Sequence, residues 1–285
     1  MLIKLTKHEF LSCARIAFPS YIIVLVLSLV GRFLTWLTSR QYILDNIPDT
    51  FVKIMQALSS LLSVLYVVVF MSLLILTLFM MVYRFYKNYF TDEGYLMLTL
   101  PTGTPSLISS KLINAWIWIF FSAVVALLSL WITLGHYEDI TSTFGNLFDS
   151  IRDLIDRERD FIEEELGVPL WVFGVEIVVF IFAYVTNFLL SWYASVSFGM
   201  LISKKHKIMG TLAAYFILYM VTTVINFVYL AAITTIVPDY YEILEESAGK
   251  ALQYVILGSA VIYVIFSAGY FGLSSFILKR KLNLD

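Results

Sequence analysis

The chain has 285 residues, of which 60% are hydrophobic and only 14% charged, and its formal net charge is −2. Soluble domains carry about 25% charged residues, so the composition excludes a water-soluble enzyme with a large core and points to an integral membrane protein. A single cysteine, Cys13, excludes an internal disulfide framework.

Residues 1–16 predict an amphipathic helix lying on the membrane surface. At 100° per residue, Lys4, Lys7, His8 and Arg15 share one face, while Ile3, Phe10, Cys13 and the adjoining Ala17 share another. Two accounts fit this pattern: an anchor meeting anionic headgroups, or a helix that packs beneath the spans and touches a partner. Leu11-Ser12-Cys13 precedes the first apolar run rather than following it, which argues against acylation. The first span lacks a small-residue cleavage site and reads as a retained helix.

A hydrocarbon core of about 30 Å needs roughly 20 apolar residues per helix. Six stretches qualify, at about 17–37, 58–83, 115–134, 170–195, 209–237 and 252–278. The fold class expected is therefore an all-α integral membrane protein, one transmembrane domain of six helices. Twelve basic residues fall in the connections on one side: Lys4, Lys7, Arg15, Arg84, Lys87, Lys111, Lys204, Lys205, Lys207, Lys279, Arg280 and Lys281. Six fall on the other, Arg40, Lys53, Arg152, Arg157, Arg159 and Lys250. The positive-inside rule then places both termini in the cytoplasm of a multi-pass protein of the cell membrane.

Between the third and fourth spans, Phe144, Leu147, Phe148, Ile151, Leu154, Ile155 and Ile162 recur at helical spacing, and Gly167 and Pro169 give a stop signal. An extracellular amphipathic helix of about five turns is expected at 144–166, with Asp149, Asp153, Asp156 and Asp160 toward water. Its acids are interleaved with Arg152, Arg157 and Arg159, which favours a solvated face over a cation site. The aromatic connection at 237–249, before the last span, has room to dip back into the outer leaflet.

No glycine-rich phosphate loop is present, so this chain is not itself an ATPase. His8, His136 and His206 lack a second ligand at metal spacing. Glu163, Glu164 and Glu165 have no intramembrane histidine to join them. No enzyme activity, bound metal or cofactor is expected of this chain, nor a nucleic-acid partner. Two ionisable residues remain within spans, Arg32 and Glu176, each within about two turns of the interface. A structural pair between the first and fourth spans is one account of them and a substrate contact the other. Asn187 and Asn226 read as helix–helix hydrogen-bonding amides. The small-residue rows Ser191/Ser195/Gly199 and Ala268/Gly272 read as close-packing surfaces.

The stretch between the second and third spans is the most distinctive. Arg84-Phe85-Tyr86-Lys87-Asn88 forms a basic, aromatic end to the second span. Thr91 stands where it could cap a short helix carrying Asp92 and Glu93 in its first turn, and Pro101-Thr102-Gly103 breaks it. Tyr95, Leu96 and Leu98 present apolar surface. A cytosolic helix of about two turns is marginal alone and must gain its stability from packing.

The run Asp92-Glu93-Gly94-Tyr95-Leu96-Met97-Leu98-Thr99-Leu100-Pro101, followed by Ser109-Ser110-Lys111, resembles the transmembrane subunits of type-2 ATP-binding-cassette (ABC) exporter permeases, notably those of Gram-positive bacteria. The order of six spans after a basic amphipathic N-terminal helix is similar too. The resemblance implies a bacterial cell-membrane protein in which residues 90–101 hold a coupling helix. That helix would seat in a groove of a separate ATPase subunit through Asp92, Glu93, Gly94, Tyr95, Leu96 and Leu98, with the N-terminal helix as a second contact. ATP and Mg would bind that partner, and a second copy or a homologous permease would complete the path. The aromatic, nearly uncharged spans suit an apolar or amphipathic substrate such as a peptide, lipid or drug. The alternative is a non-transporting immunity, sensor or scaffold protein whose extracellular helix binds a ligand.

Overall fold

A computed structural model of the chain describes residues 2–39, 48–91, 93–98, 102–134, 140–202, 206–237 and 240–280. Every regular element among them is an α-helix. In chain order these are α1 (Leu2–Ser39), α2 (Asp49–Phe90), α3 (Glu93–Leu98), α4 (Thr104–Leu134), α5 (Ile140–Leu166), α6 (Leu170–Ile202), α7 (Lys207–Ile236), α8 (Tyr240–Glu246) and α9 (Ala248–Arg280). Six of them, α1, α2, α4, α6, α7 and α9, are long and apolar enough to cross a membrane, and each expected span falls inside one, apart from Val237, which lies one residue beyond α7. Hydrocarbon offers no partner to a free N–H or C=O, so an apolar run must satisfy its backbone within itself.

The helices outrun the apolar stretches. With 38 and 42 residues, α1 and α2 extend about 57 and 63 Å at 1.5 Å per residue, roughly twice the hydrocarbon thickness. Arginine and lysine are good helix formers, so α2 continues through Arg84 and Lys87 to Phe90. The surface helix expected at 1–16 is likewise continuous with the first span, with Pro19 inside the joint helix.

Packing divides the chain into two compact units, Met1–Tyr83 with Ile113–Phe148, and Arg84–Leu112 with Asp149–Asp285. In the first, α1 buries Cys13, Ala17, Tyr21, Val24 and Ser28, a stripe at three- and four-residue spacing. Lys4, Lys7, His8 and Arg15 are exposed. Trp118 of α4 is 1% exposed and stacks on Phe10 at 4.8 Å between centroids, with Phe18, Tyr21 and Phe121 at 5.8–6.0 Å. The first turns of α1 are thus fastened to α4, and Asn114 Nδ2 donates to Cys13 Sγ at 3.3 Å. Tyr66 of α2 meets Ser129 of α4 at 3.0 Å.

In the second unit α6 packs against both α7 and α9. The row Ser191/Ser195/Gly199 lies on the buried side of α6. A Cβ at Gly199 would come within 2.5 Å of the Thr211 backbone, so the small residue is what lets α6 and α7 touch. Asn187 Nδ2 donates across to the Tyr263 carbonyl at 3.3 Å. Asn226 behaves differently from the expectation: its Nδ2 donates within α7 to Thr222 O at 3.1 Å, so its amide joins no second helix through that group.

The helix between the third and fourth spans begins at Ile140 and runs 27 residues, longer than the five turns expected. The expected start at 144 leaves out Thr141, Ser142 and Thr143, which a first turn tolerates because its N–H groups lack intrahelical partners anyway. At its other end the stop signal acts as expected. Gly167 adopts φ 68°, the left-handed conformation open to glycine, and its N–H closes on Glu163 O at 2.8 Å.

The glutamates there are fasteners. Glu165 Oε2 accepts from Ser247 Oγ at 3.1 Å and from the Gly249 N–H at 3.3 Å, and Ser247 Oγ also donates to the Glu165 carbonyl. Glu163 Oε1 accepts from the Leu170 N–H at 3.2 Å and from Arg159 Nε at 3.0 Å. The Leu170 N–H, then the Arg159 guanidinium, hold the Glu163 carboxyl below its ordinary range. A lowered native pKa stabilises at pH above the unfolded value and is lost as pH falls through the native one. Hydrogen exchange at Leu170 should therefore be slower in the native protein than in Glu163→Gln at neutral pH. That difference should vanish on acidification below the ordinary carboxylate range.

Candidate partner-docking site

The end of α2, all of α3 and the start of α4 form one folded-back corner of the second unit. Phe85, Asn88, Tyr89 and Phe90 are all buried. The Phe85 ring lies on Tyr193 of α6 at 4.2 Å with 7° between planes, and it meets Tyr89 edge-on at 5.0 Å. Such ring pairs add about 0.5–1.5 kcal/mol beyond area burial. The last turns of α2 are thereby locked to α6.

The chain then reverses. Thr91 Oγ1 donates to Lys87 O at 2.5 Å, closing α2 rather than capping α3 as the sequence led us to expect; short polar side chains compete for nearby backbone groups in this way. The Gly94 N–H donates to Thr91 O at 2.8 Å. A Cβ on Gly94 would lie 2.5 Å from the Tyr89 carbonyl oxygen, so α3 abuts the end of α2 at a distance that glycine alone permits. Across the reversal Lys87 Nζ and Glu93 Oε1 stand 2.9 Å apart with both side chains about half exposed, a geometry worth at most about 1 kcal/mol.

Two further contacts hold the corner, one within it and one to the rest of the unit. Lys111 Nζ lies 5.6 Å from the Tyr89 ring centroid, a cation–π distance. Thr104 Oγ1, at the start of α4, meets Ser275 Oγ of α9 at 3.1 Å. The corner therefore reaches α6 through Phe85 and α9 through Thr104.

Of the residues the sequence assigned here, Glu93 is exposed and Gly94 buried. Tyr95, Leu96 and Leu98 lie in α3, with side chains outside the described set, and Asp92 lies outside the described residues. Tyr193, Thr104 and Ser275 went unread as parts of the corner, and Phe85 was read only as an aromatic at the end of the second span. Phe85 carries only the general signal of an interface aromatic, and nothing in the sequence ties it to Tyr193. Arg32 and Glu176 belong to different units: Arg32 Nη1 donates to Ile132 O at 2.5 Å, and Glu176 Oε2 is buried without a hydrogen-bond partner. Among the described residues no three His, Cys, Asp or Glu side chains are grouped to hold a metal ion.

Six apolar, membrane-length helices define a multi-pass α-helical membrane protein. No protein-family model matches the chain, and no curated protein or solved structure is significantly similar to it.

Proposed function

We propose that the chain is the transmembrane subunit of an ABC exporter, with both termini and the α2–α3–α4 corner in the cytoplasm of a bacterial cell. Two permease copies, or this chain with a homologous one, would form the path for an apolar or amphipathic substrate. ATP and Mg would act on a separate ATPase subunit. Asp92, Glu93, Gly94, Tyr95, Leu96 and Leu98 would seat in that subunit.

The observation that carries the reading is the rigid seating of α3. A coupling element must transmit a push, and an isolated helix of six residues would melt under one. Here α3 abuts α2 at Gly94, α2 is stacked on α6 through Phe85 and Tyr193, and α4 is bonded to α9 through Thr104. Displacing α3 would shift the helices around α6, the kind of rigid-body coupling that drives switching in membrane transporters. The exposed Glu93 offers a charge to a partner.

Copurification of the tagged chain with the products of the reading frames adjoining its own tests the reading. A stable complex is expected, with ATP hydrolysis that falls about tenfold in a Tyr95→Ala, Leu96→Ala double variant; this matches the loss of one or two well-packed interface anchors. Failure of any ATPase subunit to associate would remove the proposal and leave the binding or scaffold alternative.

A further inference from the structure

Near the middle of α6 and α9, and against α7, lies a cavity of about 230 Å³. Its walls are aromatic. Tyr184 and Tyr263 meet edge-on at 5.4 Å on one side. Tyr215 stacks between Trp192 at 3.9 Å and Tyr219 at 6.0 Å on the other. No charged side chain lines it, yet Asn187, Ser191, Thr222, Thr223 and Asn226 do.

Most of these polar groups are engaged. Ser191 Oγ donates to Phe188 O, Thr222 Oγ1 bonds with Tyr270 Oη and Leu218 O, and Asn187 reaches Tyr263 O. The Asn226 carbonyl oxygen, by contrast, is buried with no hydrogen-bond partner while its NH₂ is held by Thr222 O. An unpaired acceptor at membrane depth costs free energy that a lipid tail cannot repay, because a tail has no donor.

We infer that this cavity binds a neutral, planar aromatic group carrying one N–H or O–H donor, an indole or a phenol, with the ring between the tyrosine walls and the donor on Asn226 Oδ1. The size fits: a dry cavity of about 150 Å³ admits a benzene ring, and this one is larger by the difference between benzene and indole with room to turn. A cationic ligand is disfavoured because no carboxylate faces the space. The same chemistry arises from free indole and from a tryptophan or tyrosine side chain of an apolar peptide. On the permease reading the latter would be cargo, but the site is a property of this chain alone.

The test is equilibrium dialysis of the purified chain in lipid nanodiscs, with empty nanodiscs as the partition control and three probes. These are indole, its isostere benzothiophene, which lacks the N–H, and a short acetylated peptide with one central tryptophan. Indole is expected to bind saturably at one per chain, about tenfold more tightly than benzothiophene, the worth of one hydrogen bond to an otherwise unpaired buried acceptor. Asn226→Leu should abolish that preference and keep benzothiophene binding, which also shows that the variant is folded. Thr223→Phe, which fills the space, should abolish both. Peptide binding that competes with indole assigns the site to side chains, and indole binding without peptide binding assigns it to free small molecules; either supports the site. Indole uptake no greater than in empty nanodiscs, or an indole preference unchanged in Asn226→Leu, would overturn it. Because no ATPase enters the experiment, its failure is distinct from failure of the permease reading.

Discussion

Trp118→Ala should destabilise the protein by about 3–5 kcal/mol, the range for removing a large buried aromatic. Trp118 gathers Phe10, Phe18, Tyr21 and Phe121 around one ring, and its loss leaves a void between the first turns of α1 and α4. Phe120→Ala supplies the contrast. Phe120 is two residues along the same helix and 66% exposed, so its truncation should change stability by well under 1 kcal/mol. Thermal unfolding of the two variants in one lipid environment measures the difference. Equal shifts would mean that Trp118 does not hold α1 to α4.

Gly94→Ala should uncouple the protein from its proposed partner without unfolding it. Alanine favours a helix over glycine by about 1 kcal/mol, so local propensity alone would make α3 more stable. The added methyl carbon, however, would stand 2.5 Å from the Tyr89 carbonyl. That neighbour is backbone, held by the Phe85–Tyr193 stack, so α3 must tilt away instead. The expected result is an unchanged melting temperature of the isolated chain and at least a tenfold loss of partner-stimulated ATP hydrolysis, the scale of a misplaced contact. A variant with full stimulation would show that the angle of α3 is immaterial.

The six long helices were legible because hydrocarbon leaves the backbone so few choices. Their ends were not. Hydropathy falls at Arg84 and Lys87, yet α2 carries on to Phe90, since a helix ends where its hydrogen bonding ends and not where the solvent changes. Position 167 was readable as a stop because glycine in that conformation is a local property. Gly94 was readable as part of a short helix, but its close approach to Tyr89 is a tertiary fact that glycine's presence does not announce. Phe85 and Tyr193 lie 108 positions apart in the sequence, and no local rule pairs them. Glu163 and Glu165 drew notice only as carboxylates without a catalytic partner, whereas their work is to receive backbone N–H groups and a serine hydroxyl.

The bond between Glu165 and Ser247 spans 82 residues, and that separation orders the protein's assembly in time. At roughly 5–20 residues per second of synthesis, the end of α5 leaves the ribosome several seconds before its partner at the head of α9. During that interval α6 and α7 must enter the bilayer with α5 not yet clasped to α9. A chain arrested before Ser247 would carry α5 with Glu165 lacking this clasp, so protease cleavage near residue 166 should mark unfinished molecules and spare completed ones.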